Sequence, residues 1–204
     1  MPKRVDHKLR HQDIAKAAFW SIAKYGFAGV TLVKVGEEMG TSIGAVTHYV
    51  KTKDEVLLLA SEYASGLLIE GFKEAGEKYK GLEALRRSIC QLLPLDAERA
   101  GIFSIWFGFC ERAKLNSDIA GVVEQRYGGY PRLFARLIKA AQKEGEIDPD
   151  INPSFAADNL VAMIDGIGLH NLVSKGGLPP KKQRQHMEKW IETTLRPKKK
   201  VTRK

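Results

Sequence analysis

The stretch GTSIGAVTHYVKTKDEV, residues 40–56, decides the fold of this chain. It is too polar for a core helix, and its glycines, hydroxyl residues and charges follow one another too regularly for a loop. Gly40 is predicted to adopt the left-handed conformation that commonly ends a helix. Ser42 predicts the N-cap of a short helix over residues 43–49, and Thr52 predicts the N-cap of a longer one. The stretch therefore holds one complete short helix between two other helices.

Helical periodicity continues on both sides of this stretch. Upstream, apolar residues three and four apart predict a helix over residues 13–25 that Gly26 ends. Thr31 predicts the N-cap of a second helix that reaches Met39. Downstream, Glu55 completes a capping box with the preceding threonine and predicts the start of a long helix. Helix, glycine-containing turn and short helix together indicate a helix-turn-helix, whose second helix enters the DNA major groove.

The residue types of the short helix suit contact with DNA. A helix that approaches base edges closely needs small and polar residues on its outer side, and threonine, serine, glycine and alanine stand there. Val46 is predicted to point inward and hold the helix against its neighbour. His48 and Tyr49 can donate hydrogen bonds to phosphate oxygens, and Lys53 stands beside the free N–H groups that begin the next helix.

The segment DIAKAAFWSIAKYGFAGVTLVKVGEEMGTSIGAVTHYVKTKDEV, residues 13–56, resembles the N-terminal DNA-binding domain of TetR-family transcriptional regulators. It departs from the family at Gly36, Thr47 and Val50. Because Thr47 alters the surface that faces DNA, the base preference of the family does not carry over. The resemblance implies that nine residues contact DNA: Thr31, Thr41, Ser42, Gly44, Ala45, Thr47, His48, Tyr49 and Lys53.

The net charge of +9 is concentrated at the two ends of the chain. Residues 1–60 carry a net charge of +3, residues 61–174 carry −3 and residues 175–204 carry +9. A basic arm ahead of a small helical unit predicts electrostatic attraction to nucleic acid. The basic tail, residues 197–204, is predicted to be disordered. Solvated charge without a partner is the alternative interpretation of both ends.

Several classes of protein do not fit the sequence. No apolar run approaches the roughly 20 residues that span a bilayer, and the N-terminus lacks the apolar core of a signal peptide, so a cytoplasmic protein without a membrane partner is expected. Cys90 and Cys110 have no C-x-x-C spacing, which favours reduced thiols over a zinc site. No G-x-S-x-G, H-E-x-x-H, P-loop or G-x-G-x-x-G pattern occurs. The sequence predicts neither an enzyme, nor a metal site, nor a cofactor.

The rest of the chain has the pattern of long amphipathic helices with short breaks, and nowhere the alternation of a strand. We predict an all-α fold of about nine helices. A three-helix helix-turn-helix domain with a basic arm occupies residues 1–53, and a helical ligand-binding and dimerisation bundle occupies residues 54–196. The predicted helices of that bundle beyond the first cover residues 82–93, 96–114, 117–143, 154–174 and 181–195.

One segment of the bundle, IFSIWFGFC at residues 102–110, is apolar nearly all round and is predicted to be a helix buried on most sides. Its aromatic side, with tyrosines of the next helix, fits either a solid core or the wall of an apolar ligand cavity. Asp165 lies in an otherwise apolar helix and must find a partner, become protonated or face water. The candidate ligand-binding residues are Phe103, Trp106, Phe107, Cys110, Tyr127, Met163 and Asp165.

The end of the chain suggests self-association. An apolar stripe runs along the last predicted helix, and Gly166 and Gly168 in the helix before it permit close approach of another helix. These features predict a homodimer through the last two helices. Packing of the stripe within one chain would give the same periodicity. The stripe consists of Met187, Trp190, Ile191, Thr194 and Leu195.

Two further segments, residues 92–119 and residues 143–169, resemble the regulatory domain of the BetI-type subgroup of TetR regulators. The resemblance implies a dimer bundle made by the last two helices and an inducer enclosed by the central ones. The subgroup includes a choline-responsive repressor, and Trp106 with Asp165 nearby could hold a quaternary ammonium group. The interpretation that the sequence favours is a structural role for Asp165 and an apolar or amphipathic inducer beside Phe103, Trp106, Phe107 and Met163.

The function that these patterns predict is a homodimeric repressor that a small-molecule inducer releases from a palindromic double-stranded DNA operator. The long helix that begins at Lys53 would couple the two events. A ligand-independent DNA-binding or architectural protein is the alternative. A cavity on the order of a few hundred Å³ inside the bundle would favour the ligand-responsive repressor over the ligand-independent protein.

Overall fold

The structure, a computed structural model, describes residues 7–196, apart from the side chains of residues 7–9, 126 and 127. Residues 1–6 of the predicted basic arm and the predicted basic tail, residues 197–204, lie outside the described residues.

Within residues 7–196 the chain forms α-helices joined by short turns, and the described part contains no strand. This confirms the predicted all-α fold. A final π-helical turn, Ile191–Leu195, continues the last helix. The helices are α1 (His7–Gly29), α2 (Leu32–Glu38), α3 (Ile43–Thr47), α4 (Lys53–Lys78), α5 (Gly81–Leu92), α6 (Ala97–Arg112), α7 (Ser117–Lys143), α8 (Pro153–Val173) and α9 (Pro180–Trp190).

Short-range signals place the ends of the first helices. The Thr31 hydroxyl oxygen accepts a hydrogen bond of 3.2 Å from the N–H of Lys34, which satisfies a free donor of α2. Gly40 has a φ of 63°, the left-handed conformation in which glycine is not strained. Ser42 takes the N-cap position of α3 but its side chain accepts no capping hydrogen bond. The caps and the turn at Gly40 lie where the sequence predicts them, although the Ser42 cap is positional only. The prediction of a first helix over residues 13–25 is wrong in its bounds, because α1 begins at His7 and Gly26, with a φ of 69°, kinks the helix without ending it before Gly29. Helix α3 ends at Thr47, two residues before its predicted end.

The capping box at the start of α4 forms in a modified way. The Thr52 hydroxyl oxygen accepts a 3.2 Å hydrogen bond from the N–H of Glu55. The Glu55 carboxylate accepts its 2.8 Å hydrogen bond from the N–H of Lys51, one residue before the cap. The side chain thus also fixes the chain that leads from α3 into α4.

The apolar residues form two cores. The first joins α1, α2 and α3 to α4, α6 and the start of α7, where Ile119 is buried, and the second joins α5, the rest of α7, α8 and α9. Leu92 and Tyr130 pack against both. The DNA-binding unit that the sequence predicts in residues 1–53 therefore shares its core with three helices of the bundle, so a movement of α4 or α6 also displaces α1–α3.

Helix α6 approaches α1 closely because glycines face it. A Cβ atom added at Gly101 would lie 2.9 Å from both Ala23 Cβ and Phe19 Cζ. One added at Gly108 would lie 3.1 Å from Phe27 Cβ. These glycines let the two helices touch at the level of the backbone, which ties α6 firmly to the first core.

Three of the five residues of the predicted dimer stripe are buried within their own chain. Met187 is 4% exposed, and Ile191 and Leu195 are fully buried against the second core. The prediction that this stripe offers a free self-complementary face is therefore wrong. Periodicity identified a buried side of the helix correctly but did not identify its neighbours.

A substitution at Gly101 tests the contact between α6 and α1. Gly101→Ala should lower the free energy of unfolding by about 1–3 kcal/mol, because the added methyl group overlaps two buried side chains. Gly121→Ala is the control, since nothing lies within 4 Å of that position on α7. The control should raise the free energy of unfolding by up to about 1 kcal/mol through helix propensity. Urea unfolding measures both values, and a stabilised Gly101→Ala protein would contradict the close packing.

Candidate nucleic-acid interface and ligand cavity

Helix α3 presents a polar outer surface from a fixed position. Val46 is fully buried and holds α3 against the first core, as predicted. Ser42 and Gly44 are exposed on the outer side, and the Thr47 hydroxyl donates a 3.3 Å hydrogen bond to the carbonyl oxygen of Gly44. Small groups therefore make up most of the outer side, which suits insertion into a major groove.

Neighbouring residues frame this surface. His48 and Tyr49 stack edge to face, with ring centroids 5.0 Å apart, at the end of α3. At its start, the Arg10 guanidinium lies 3.4 Å from the Thr41 hydroxyl oxygen, so α1 contributes a cation to the same side. The nine residues predicted to contact DNA all lie in or beside α2, α3 and the first turn of α4: Thr31, Thr41, Ser42, Gly44, Ala45, Thr47, His48, Tyr49 and Lys53.

Two ammonium groups bind the carbonyl end of α1. Lys53 Nζ donates a 2.8 Å hydrogen bond to the Ala28 carbonyl oxygen, and Lys34 Nζ donates one of 2.7 Å to the Gly29 carbonyl oxygen. Lys34 also lies 4.1 Å from the ring centroid of Tyr25. Each ammonium has three donors, so these contacts hold the charge at the surface and leave donors for phosphate.

The structure adds one residue to this surface that the sequence analysis missed. Ile43, the first residue of α3, is 47% exposed. The sequence analysis gave it no role, since periodicity alone does not distinguish an outward isoleucine from an inward one. Only the packing of Val46 fixes which side of α3 faces out.

The two cores leave a cavity where they meet. The space between its atoms is about 500 Å³ when the open mouth is included, but a water-sized molecule can centre itself within only about 40 Å³. The cavity in this conformation is therefore narrow and suits a small group. It is lined by Leu92, Ile102, Phe103, Trp106, Tyr130, Val161, Ile164 and Asp165.

Asp165 is the one acidic residue among these lining side chains. The carboxylate accepts a hydrogen bond from the Trp106 indole, which lowers its pKa, but burial outweighs this effect and raises the pKa above its ordinary value. An ionised carboxylate is costly in this apolar setting. Carboxylate and aromatic faces together form a site for a cation, because a cation would offset that cost and be attracted by the rings.

Only part of the predicted ligand-binding set lines the cavity. Phe103, Trp106 and Asp165 line it. Phe107 is 39% exposed on another side of α6, because adjacent helical residues point about 100° apart. Met163 packs against the second core, and Cys110 is not among the lining residues. The side chain of Tyr127 lies outside the described residues.

Five lining residues were outside the predicted set. Tyr130 had a signal, since it stands on the helix that follows the aromatic segment. The four aliphatic residues had none, because an aliphatic side chain beside a cavity has the same sequence pattern as one in a solid core. They are Leu92, Ile102, Val161 and Ile164.

Helix α6 joins the cavity to the start of α4. The Arg112 guanidinium, at the end of α6, binds the Asp54 carboxylate through two hydrogen bonds of 2.9 and 3.0 Å. The Asn116 side chain donates a third of 3.1 Å. The hydrogen bonds from Arg112 hold the pKa of Asp54 below its ordinary value. Asp54 follows Lys53 directly, so this ion pair connects the ligand-lining helix to the predicted DNA contact.

In the described part of the chain, no three histidine, cysteine or acidic side chains group closely enough to hold a metal ion. No described helix has both the length and the apolar composition needed to cross a membrane.

Comparison with known proteins places this architecture. Residues 81–196 match the family model described as the C-terminal domain of BetI-type transcriptional repressors. The HTH-type transcriptional regulator PksA of Bacillus subtilis (strain 168) is 27% identical over 175 residues, which cover 85% of this chain and 83% of that protein. The HTH-type transcriptional regulator BetI 2 of Chromohalobacter salexigens is 27% identical over 209 residues, which cover 96% and 93%.

A solved structure shares the fold. It is described as a transcriptional regulator from Saccharomonospora viridis in complex with choline, and it matches with a TM-score of 0.82 at 24% sequence identity. The match covers 94% of this chain and 100% of that one.

The raised pKa of Asp165 gives a pH-dependent stability. Because folding disfavours the ionised form, the carboxyl destabilises the folded chain increasingly as the pH rises from its ordinary pKa through the raised one. Asp165→Asn removes this effect, so its free energy of unfolding should rise relative to the parent over that range. Asp158→Asn, an exposed position on the same helix, is the control. Urea unfolding between pH 4 and pH 8 measures the differences, and an equal change in both variants would contradict the assignment.

Proposed function

Since the chain belongs to the BetI-type transcriptional repressors of the TetR family, we propose that it binds a palindromic operator as a homodimer and releases it when a small organic cation enters the cavity. Helices α2 and α3 supply the contacts with DNA in this proposal. The single observation that carries the ligand class is the half-buried Asp165 carboxylate beside the aromatic wall of the cavity.

The chemistry of the cavity favours a quaternary or alkyl ammonium ion over a neutral apolar inducer. Phe103, Trp106 and Tyr130 supply aromatic rings, and Asp165 supplies a negative charge. A neutral ligand would leave the carboxylate buried without a counter-ion, which is costly. The fold neighbour that contains choline supports the same ligand class. Choline carries the ammonium group that this chemistry favours and is therefore the probe of choice.

Helix α6 offers a direct route from the ligand to the operator. One side of it lines the cavity with Phe103 and Trp106, and the other side packs its glycines against α1. Its end binds Asp54 at the start of α4. A ligand that displaces α6 would move α1 and α4 together, and the recognition helices of a dimer would lose their match to half-sites about 34–36 Å apart.

The ligand must favour one arrangement of α6 over the other. A molecule that binds both arrangements equally well changes neither population. A cation meets this requirement if it binds Asp165 and the Trp106 ring in an arrangement that the empty cavity does not have. The alternative of a ligand-independent architectural protein gives no role to a carboxylate buried in a cavity.

Helix α8 supplies the surface that we propose for the homodimer. Exposed residues recur along it at spacings of three and four, with apolar side chains at both ends and small ones between. Nothing lies within 4 Å of a Cβ added at Gly166, so a second helix can approach there. The exposed residues of this face are Phe155, Asn159, Ala162, Gly166, Leu169 and Val173.

The choline response tests the proposed function. Choline should release the parent from a duplex selected out of a randomised palindromic library, as measured by fluorescence anisotropy. Asp165→Asn should weaken choline binding about 10- to 150-fold, the loss of about 1.5–3 kcal/mol typical of a charge-assisted contact. Trp106→Ala should weaken it as well, through the lost cation–π contact. Affinity for DNA without choline should stay the same in both variants.

Two controls sharpen this test. Phe107→Ala changes an aromatic residue next to Trp106 that lies outside the cavity, and it should bind choline like the parent. The neutral isostere 3,3-dimethylbutanol should bind the parent far more weakly than choline, while Asp165→Asn should hardly distinguish the two. A parent that binds both molecules equally would contradict a cationic inducer.

The dimer face gives a separate prediction. Leu169→Arg places a charge at the apolar C-terminal end of the proposed interface, so the variant should be monomeric at micromolar concentrations where the parent is dimeric. Ile69→Arg, at a 68% exposed position on α4, should leave the parent's assembly unchanged. Light scattering measures the mass. A dimeric Leu169→Arg protein would place the interface elsewhere.

A further inference from the structure

Helix α3 exposes an aliphatic side chain where the proposed interface meets the bases. Ile43 is 47% exposed, although Val46 on the same helix is fully buried. Its neighbours on the outer side are the small residues Ser42 and Gly44, so the side chain stands above its surroundings.

The position of Ile43 brings it close to base edges. In a helix-turn-helix, the N-terminal residues of the second helix contact the bases, and Ile43 is the first residue of α3. Gly44 has no side chain, so the backbone beside Ile43 can approach the groove. Thr47 lies one turn further along the same side, within reach of the next base pair or of a phosphate group.

The chemistry of the side chain narrows what it can recognise. An isoleucine side chain neither donates nor accepts a hydrogen bond. The bases present one apolar group in the major groove, the C5 methyl group of thymine. A base pair that offers only donors and acceptors would lose hydrating water against this side chain without compensation.

We propose that Ile43 contacts the C5 methyl group of one thymine in each half-site and so fixes the base preference at that position. The proposal rests on operator binding by α2 and α3. It deepens that function by naming a residue that selects sequence, whereas Lys53 and His48 are predicted to contact phosphate groups and hold the protein on any sequence.

The structure also supplies a matched control. Val33, on α2, is 50% exposed and is likewise branched and aliphatic. It belongs to the first helix of the helix-turn-helix, which crosses the DNA backbone and does not enter the groove. Val33→Ala removes a comparable amount of exposed apolar surface and should not alter the response to a thymine methyl group.

Replacement of thymine by deoxyuridine isolates the methyl group. The parent is used to select a duplex from a randomised palindromic library, and each thymine of the half-site is then replaced in turn by deoxyuridine, which keeps every hydrogen-bonding group. At one thymine, the replacement should weaken binding about fourfold per half-site and about fifteenfold when made in both, the factor expected for one buried methyl group. Ile43→Ala should bind the thymine duplex more weakly and show no such loss.

The outcomes separate this proposal from the function on which it depends. If the parent selects no duplex, operator binding fails and the role of Ile43 fails with it. If the parent selects a duplex but no deoxyuridine replacement weakens binding, operator binding stands and the role of Ile43 is refuted. The role of Ile43 is also refuted if deoxyuridine weakens binding by Ile43→Ala as much as it weakens binding by Val33→Ala. Thermal unfolding of each variant confirms that it is folded.

Discussion

The close packing of α6 against α1 is the constraint on which the rest of the structure depends. Gly101 and Gly108 bring the two helices together at the level of the backbone, and Arg112 fixes the end of α6 to Asp54 on α4. Because interiors are packed densely, α6 cannot shift without moving the helices that it touches. A shift of α6 at the cavity, on its other side, would therefore also move the helices of the predicted DNA-binding unit.

In the proposed function, the free-energy cost of one carboxylate would couple ligand binding in the cavity to the position of α6. Asp165 is half-buried among apolar side chains, with the Trp106 indole as its hydrogen-bond donor. A cation that binds beside it would offset the cost of keeping this carboxylate ionised, which the empty cavity does not do. That difference is what can shift the position of α6, since only differential affinity moves a conformational equilibrium.

The sequence predicted the features that depend on near neighbours. The caps at Thr31 and Thr52 and the turn at Gly40 follow from residues within four positions, and the structure confirms them. The requirement of Asp165 for a partner was also predicted from its apolar segment. The identity of that partner was not, because Trp106 lies on a different helix far away in the chain.

Features that depend on tertiary packing escaped the sequence. The stripe at Met187 has the periodicity of a buried face, and the pattern is the same whether a partner or the same chain covers it. Phe107 and Trp106 are both aromatic and adjacent, yet only Trp106 reaches the cavity. The ion pair between Asp54 and Arg112 joins residues 58 positions apart, and neither residue stands out in its own segment.

The most direct test measures the coupling itself. The affinity for the selected operator would be determined with and without saturating choline, in the parent and in Arg112→Gln, Asp54→Asn and the double variant. The parent should bind at least about fivefold more weakly with choline, a ratio in the usual allosteric range, and the variants should show a ratio close to one while still binding choline. A ratio that is the same in the parent and in all three variants would contradict transmission through α6.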